Sequence, residues 1–163
     1  MYQEFLKSMA GTSIGHTVST NLVLFPTLET LHFIGLALLV GGIAVLDLRV
    51  LGVGKGLTVK PFHKLLPLVF LGLGINVVSG VLFFLADPVG YGNNTAFQFK
   101  MVFLVFAGLN ALWFEVAVAK DIASWGPDTD APQVAKVICG LSLFLWAAVI
   151  VAGRMMPSFT ALL

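Results

Sequence analysis

The stretch from Leu65 to Ala86 sets 22 uncharged residues in a row. At about 1.5 Å rise per residue, a helix of that length spans about 33 Å, close to the hydrocarbon thickness of a bilayer. A helix that is apolar on every side has to be surrounded by apolar material. Composition says what that material is. Of the 163 residues, 58% are hydrophobic and only 10% charged, where soluble domains carry about a quarter charged. The sequence therefore predicts an all-α integral membrane four-helix bundle, a single transmembrane domain over residues 1–163. The spans are expected at about 26–50, 61–86, 96–120 and 133–156. Together with short loops they use almost the whole chain, so no separate soluble domain is expected.

Prolines and glycines punctuate this pattern. Pro26 and Pro61 suit the first turn of a helix, where a missing N–H costs nothing. Asp47-Leu48-Arg49 and glycines 52, 54 and 56 close the first span. Pro67 is expected to kink the start of the second. Asp87-Pro88 with Gly90, Gly92, Asn93 and Asn94 reads as a loop, and so does the polar run Asp121–Pro132. Pro157 is expected to stop the fourth helix. Upstream, Tyr2, Phe5, Leu6 and Met9 alternate with Glu4, Lys7 and Ser8, as in a short amphipathic helix on the membrane surface. Gly11 and Gly15 are expected to break it. Glu4 and Lys7 interrupt any leader-like apolar core.

The basic residues sort by side. Arg49, Lys55, Lys60, Lys64, Lys120 and Lys136 fall on one side of the expected bundle, and Lys7, Lys100 and Arg154 on the other. Positive charge stays in the cytoplasm, so both termini are expected outside. A net charge of +1 without a basic cluster gives no footing for nucleic acid. The one cysteine, Cys139, has no partner for an intrachain disulfide and reads as a small packing residue. No nucleophile–base pair, phosphate loop or zinc spacing is present. Hydrolysis, phosphoryl transfer and nucleotide binding are therefore not expected, nor is a stand-alone enzyme.

Lipid gives helices no hydrophobic reason to associate, so small residues and internal hydrogen bonds must hold them. Gly35, Gly42, Gly72, Gly80, Gly108 and Gly140 permit close approach, which also suits a homo-oligomer. Asn76, Ser79, Asn110 and Ser142 can bond across helices. Ionisable residues inside the spans carry the functional question, and they form two layers. The outer layer holds Glu29, His32, Lys100 and Arg154, with His16, Met155 and Met156 near the same surface. The inner layer holds Asp47, Arg49, His63, Lys64 and Glu115, with Arg49 and Glu115 as an expected pair. His32 and His63 are expected more than about 20 Å apart, so they cannot clamp one metal.

Three readings of the outer layer stand side by side. His32 ligates a b-type haem, with His16 or a C-terminal methionine as second ligand and Lys100 and Arg154 on the propionates. Alternatively, His16, His32, Met155 and Met156 bind copper as imidazole and thioether ligands. In the third reading no cofactor is bound. His32 bonds Glu29 or a neighbouring helix, the cations snorkel, and the protein is a non-catalytic accessory or self-assembling subunit.

The segment Glu29-Thr-Leu-His32-Phe-Ile-Gly35 through Gly42 to Asp47-Leu-Arg49-Val-Leu-Gly52, with Ser79-Gly80, Asp87-Pro88 and Phe97-Gln-Phe-Lys100, carries a likeness. It resembles a family of small bacterial four-helix membrane proteins known as a domain of unknown function. That family is loosely similar to the copper-resistance D proteins and to HemJ-type protoporphyrinogen oxidases. The resemblance covers most of the chain from Pro26 and implies the bacterial inner (plasma) membrane. His32 and Lys100 match by position the histidine and later lysine of the HemJ type. The arginine that follows that histidine on the same helix is absent here, so oxidase activity is not carried over. The likeness favours the haem and copper readings alike, and a haem protein of this kind would exchange electrons with quinone or a redox partner.

Overall fold

The computed structural model describes residues 1–54, 56–125 and 129–160. Lys55 and the 126–128 part of the expected polar loop lie outside the described residues. The elements are α1 (Tyr2–Ala10), α2 (Ser13–Thr20), α3 (Leu24–Val50), α4 (Lys60–His63), α5 (Leu66–Ala86), α6 (Pro88–Asn93), α7 (Thr95–Ala117), a 3-10 helix (Ala119–Ser124) and α8 (Gln133–Thr160). There is no strand among the described residues. Among the described residues, four helices are long and apolar enough to cross a membrane, so the all-α bundle expected from the sequence is the fold observed.

Local chemistry explains where the helices begin. Asn21 starts α3 two residues before Pro26: its side-chain oxygen accepts the amides of Val23 and Leu24 at 3.0 and 2.9 Å. Such bonds satisfy donors that a helix leaves open at its first turn. Pro67 has no N–H to offer, so the expected second span is interrupted at Lys64–Leu65, with α4 before it and α5 after. The expected loop at 87–94 contains α6 instead. Asp87 caps it by accepting the Gly90 amide at 2.9 Å, and Pro88 sits at its first position. Asn94 then caps α7 through the Phe97 amide at 3.1 Å. Pro157 does not stop α8, which runs on to Thr160.

The N-terminal segment is two helices rather than one. Gly11 separates them, but Gly15 lies inside α2. A Cβ at Gly15 would collide with the Leu85 carbonyl oxygen, so the missing side chain lets α2 rest on the backbone of α5. Helix α1 lies on α6: Leu6 is 1% exposed, and the Tyr2 hydroxyl donates to the Gly92 carbonyl at 2.9 Å.

Laterally, the main contacts of the spans run in the order α5, α3, α8, α7. Glycines make the α3–α5 contact close. A Cβ at Gly72 would lie 2.5 Å from the Gly35 carbonyl oxygen, and one at Gly35 would lie 2.6 Å from Asn76 Nδ2. Leu39, Val69, Ala107, Leu145, Trp146 and Val149 fill the middle of the bundle. Leu46, Val50, Phe114, Val118, Ile138 and Cys139 fill the half towards α4. Outward, Phe33, Phe70, Leu112 and Phe144 are each at least 60% exposed. Phenyl and isobutyl faces left open on all sides fit contact with lipid rather than water.

Candidate functional site

At the end of the bundle that carries α6, the His32 ring on α3 turns to α5. Its Nδ1 lies 2.7 Å from Ser79 Oγ. Ser79 Oγ in turn lies 2.6 Å from the Ile75 carbonyl oxygen, which can only accept. A hydroxyl has one proton, and here it is committed to that carbonyl. Towards His32 the hydroxyl therefore accepts, which puts the imidazole proton on Nδ1. The Nε2 lone pair is left without a hydrogen bond among the described residues. Gly80 lies beside the ring: a Cβ there would be in ordinary contact with His32 Cε1, at 3.9 Å. Phe83 tilts against the imidazole at 5.5 Å and against Phe25 at 5.2 Å.

Lys100 on α7 approaches from the other side of the bundle. Its chain lies along Gly153 of α8, where a Cβ would sit 3.9 Å from Cδ, Cε and Nζ. The residue is half-buried and makes no hydrogen bond or ion pair among the described residues. Its charge acts on the His32 ring. Tyr91 on α6 completes this end. Its ring lies 5.5 Å from Phe97, which stacks on Phe84 at 5.8 Å and links α5 to α7. Burial raises the Tyr91 phenol above its usual range, and the charges of Asp87 and Glu29 push the same way. The hydroxyl thus stays a proton donor at neutral pH. Tyr91 is the member that sequence reasoning missed, because its segment read as a loop.

The other expected site residues are distributed differently. Glu29 is exposed and makes no hydrogen bond with His32. Arg154 is exposed beside Gly153. His16 is exposed on α2, where its backbone carbonyl accepts from the Thr20 hydroxyl at 2.7 Å. Met155 is 42% exposed, and the Met156 carbonyl accepts from Asn94 Nδ2 at 2.9 Å. Among the described residues, no hydrogen bond or ring contact joins His16, Met155 or Met156 to His32. Among the described residues, no three His, Cys, Asp or Glu side chains are grouped to hold a metal ion.

The expected inner layer resolves into separate pairs at the α4 end. Glu115 meets His63 at 3.2 Å rather than Arg49. Arg49 Nε donates to the Leu57 carbonyl at 2.6 Å, and its Nη2 donates to the same oxygen. Asp47, two residues earlier and so on another side of α3, faces Ser142 and Cys139 of α8. His63 and His32 sit at opposite ends of the bundle, so no single group bridges them.

No family model matches the chain, and neither a curated protein nor a solved structure matches it. The chemistry of the site therefore has to be read from its own residues. It offers a lone pair of fixed direction, a cation that has no partner among the described residues, and a phenol, set among phenyl rings.

Proposed function

We propose that this is a small protein of the bacterial inner membrane that holds a b-type haem in the α6-end half of its bundle and transfers electrons to or from quinone. The observation that carries the reading is the Ser79 bond, which leaves His32 Nε2 free. Ligating histidines almost always give their other ring N–H to an acceptor that fixes the tautomer, and histidine is a usual axial ligand of haem iron. Lys100 and Arg154 supply cations for propionates, where charge-assisted bonds are strong. Phe83, Phe84 and Phe97 supply apolar walls. The haem would contribute the one-electron couple; the chain binds it, orients it and keeps water away. For a second ligand, Met156 shares a face of α8 with Gly153, three residues before it, and so lies on the Lys100 side. His16 lies on α2, beyond α5. The uneven distribution of basic residues along the sequence, six expected on one side and three on the other, favours both termini outside.

The test is a visible spectrum of the protein purified from haem-replete cells. A Soret band is expected, and its loss in His32→Ala with helical content unchanged. Colourless wild-type protein that also fails to take up added hemin overturns the reading.

A further inference from the structure

A second polar site lies deep among α3, α7 and α8, away from His32. Asp47 on α3 and Asn110 on α7 are each 5% exposed. Both address the same short stretch of α8. The Asp47 carboxylate faces Ser142 and Cys139, and Asn110 donates Nδ2 to the Ile138 carbonyl at 3.1 Å. Each keeps one oxygen shielded from solvent and, among the described residues, without a hydrogen-bond partner: Asp47 Oδ2 and Asn110 Oδ1. Two acceptors cannot satisfy one another. A buried carboxylate also needs a countercharge, and among the described residues no neighbouring group supplies one to Asp47. Arg49 is directed to the Leu57 carbonyl. His63 and Glu115 pair with each other nearer the surface. Cys139 is an uncharged thiol.

We infer that Asp47, Asn110 and Ser142 form an intramembrane site for one small monovalent cation, a proton or a sodium ion. The stoichiometry follows from the charge, since a single carboxylate neutralises a single positive charge. Calcium and magnesium take six or more oxygens, which this set does not provide. A proton would sit on Asp47 Oδ2 with Asn110 Oδ1 as its acceptor. Sodium would take both oxygens and Ser142 Oγ as ligands. In either case the occupant joins α3, α7 and α8 at one point.

The experiment compares thermal unfolding in detergent micelles with sodium chloride and with N-methyl-D-glucamine chloride at equal ionic strength, and records the infrared band of a protonated carboxyl. For sodium, the melting temperature rises and saturates in wild type and does not move in Asp47→Asn. Asn110→Leu, which keeps the carboxylate, shifts the sodium midpoint roughly tenfold upwards, as expected for loss of one ligand to a charged group. For a proton, sodium has no effect and the wild-type infrared band disappears in Asp47→Asn and moves in Asn110→Leu. Absence of both signals in wild type overturns the inference, as does either signal surviving unchanged in Asp47→Asn.

Discussion

Replacing Gly72 by alanine puts a methyl group where α3 and α5 cross. The added carbon would lie 2.5 Å from the Gly35 carbonyl oxygen, 2.7 Å from the Leu39 amide nitrogen and 3.0 Å from Leu38 Cβ. Ordinary contact begins near 3.4 Å, so the helices must part by almost 1 Å. Two of these neighbours are backbone atoms and cannot rotate away. Overpacking of this kind costs about 1–3 kcal/mol, roughly a 5- to 140-fold loss in the folding equilibrium. The displacement also reaches the site: Ser79 lies two turns beyond Gly72 on α5, and His32 lies three residues before Gly35 on α3. Gly74→Ala is the internal control. It is on the same helix with nothing within 4 Å of its added carbon, and a gain of up to about 1 kcal/mol from helix propensity is expected there. Unfolding in mixed micelles by a denaturing detergent, followed by tryptophan fluorescence, gives both numbers. If Gly72→Ala is no less stable than Gly74→Ala, the reasoning about the α3–α5 contact is wrong.

Three further outcomes are expected. Ser79→Ala removes the acceptor for His32 Nδ1–H and should weaken hemin binding roughly 10- to 100-fold; an unchanged midpoint in an absorbance titration would show that Ser79 does not orient the ring. Lys100→Met removes a half-buried ammonium that bonds to nothing described, so thermal stability should hold or rise while hemin affinity falls; a loss of stability would mean the cation has a structural partner. Glu115→Gln breaks the pair with His63, in which the two side chains are 47% and 30% exposed, and should cost less than about 1 kcal/mol. A larger loss of stability in detergent unfolding would mean that the pair is shielded from solvent.

The spans were legible because the bilayer imposes a length and an apolar character that a window of sequence records directly. Their ends were less so. Asn21 outcompeted Pro26 as the start of α3 because a side-chain cap can recruit two more residues into the helix. Pro157 was expected to break α8, yet the helix accommodates it. The site was half legible. His32 and Lys100 stand out because ionisable groups are rare in spans, and Ser79 is among the residues able to bond across helices. That Ser79 would meet His32, and Glu115 would meet His63, depends on which faces α3, α5 and α7 turn to one another. The near-uniform apolarity of these helices gives their sequences no amphipathic stripe from which to read a facing direction.

The lateral order α5, α3, α8, α7 has a consequence for assembly. His32 and Ser79 belong to the helical hairpin formed early in the chain, Lys100 and Gly153 to the one formed later, and α3 against α8 is the main seam between the two. Each hairpin can insert and pair on its own, since its helices are neighbours in sequence. The imidazole meets the ammonium only once the seam has closed. Any signal that depends on both groups therefore also reports that the halves have docked, and a chain divided in the Asn93–Asn94 region would regain it only on recombination.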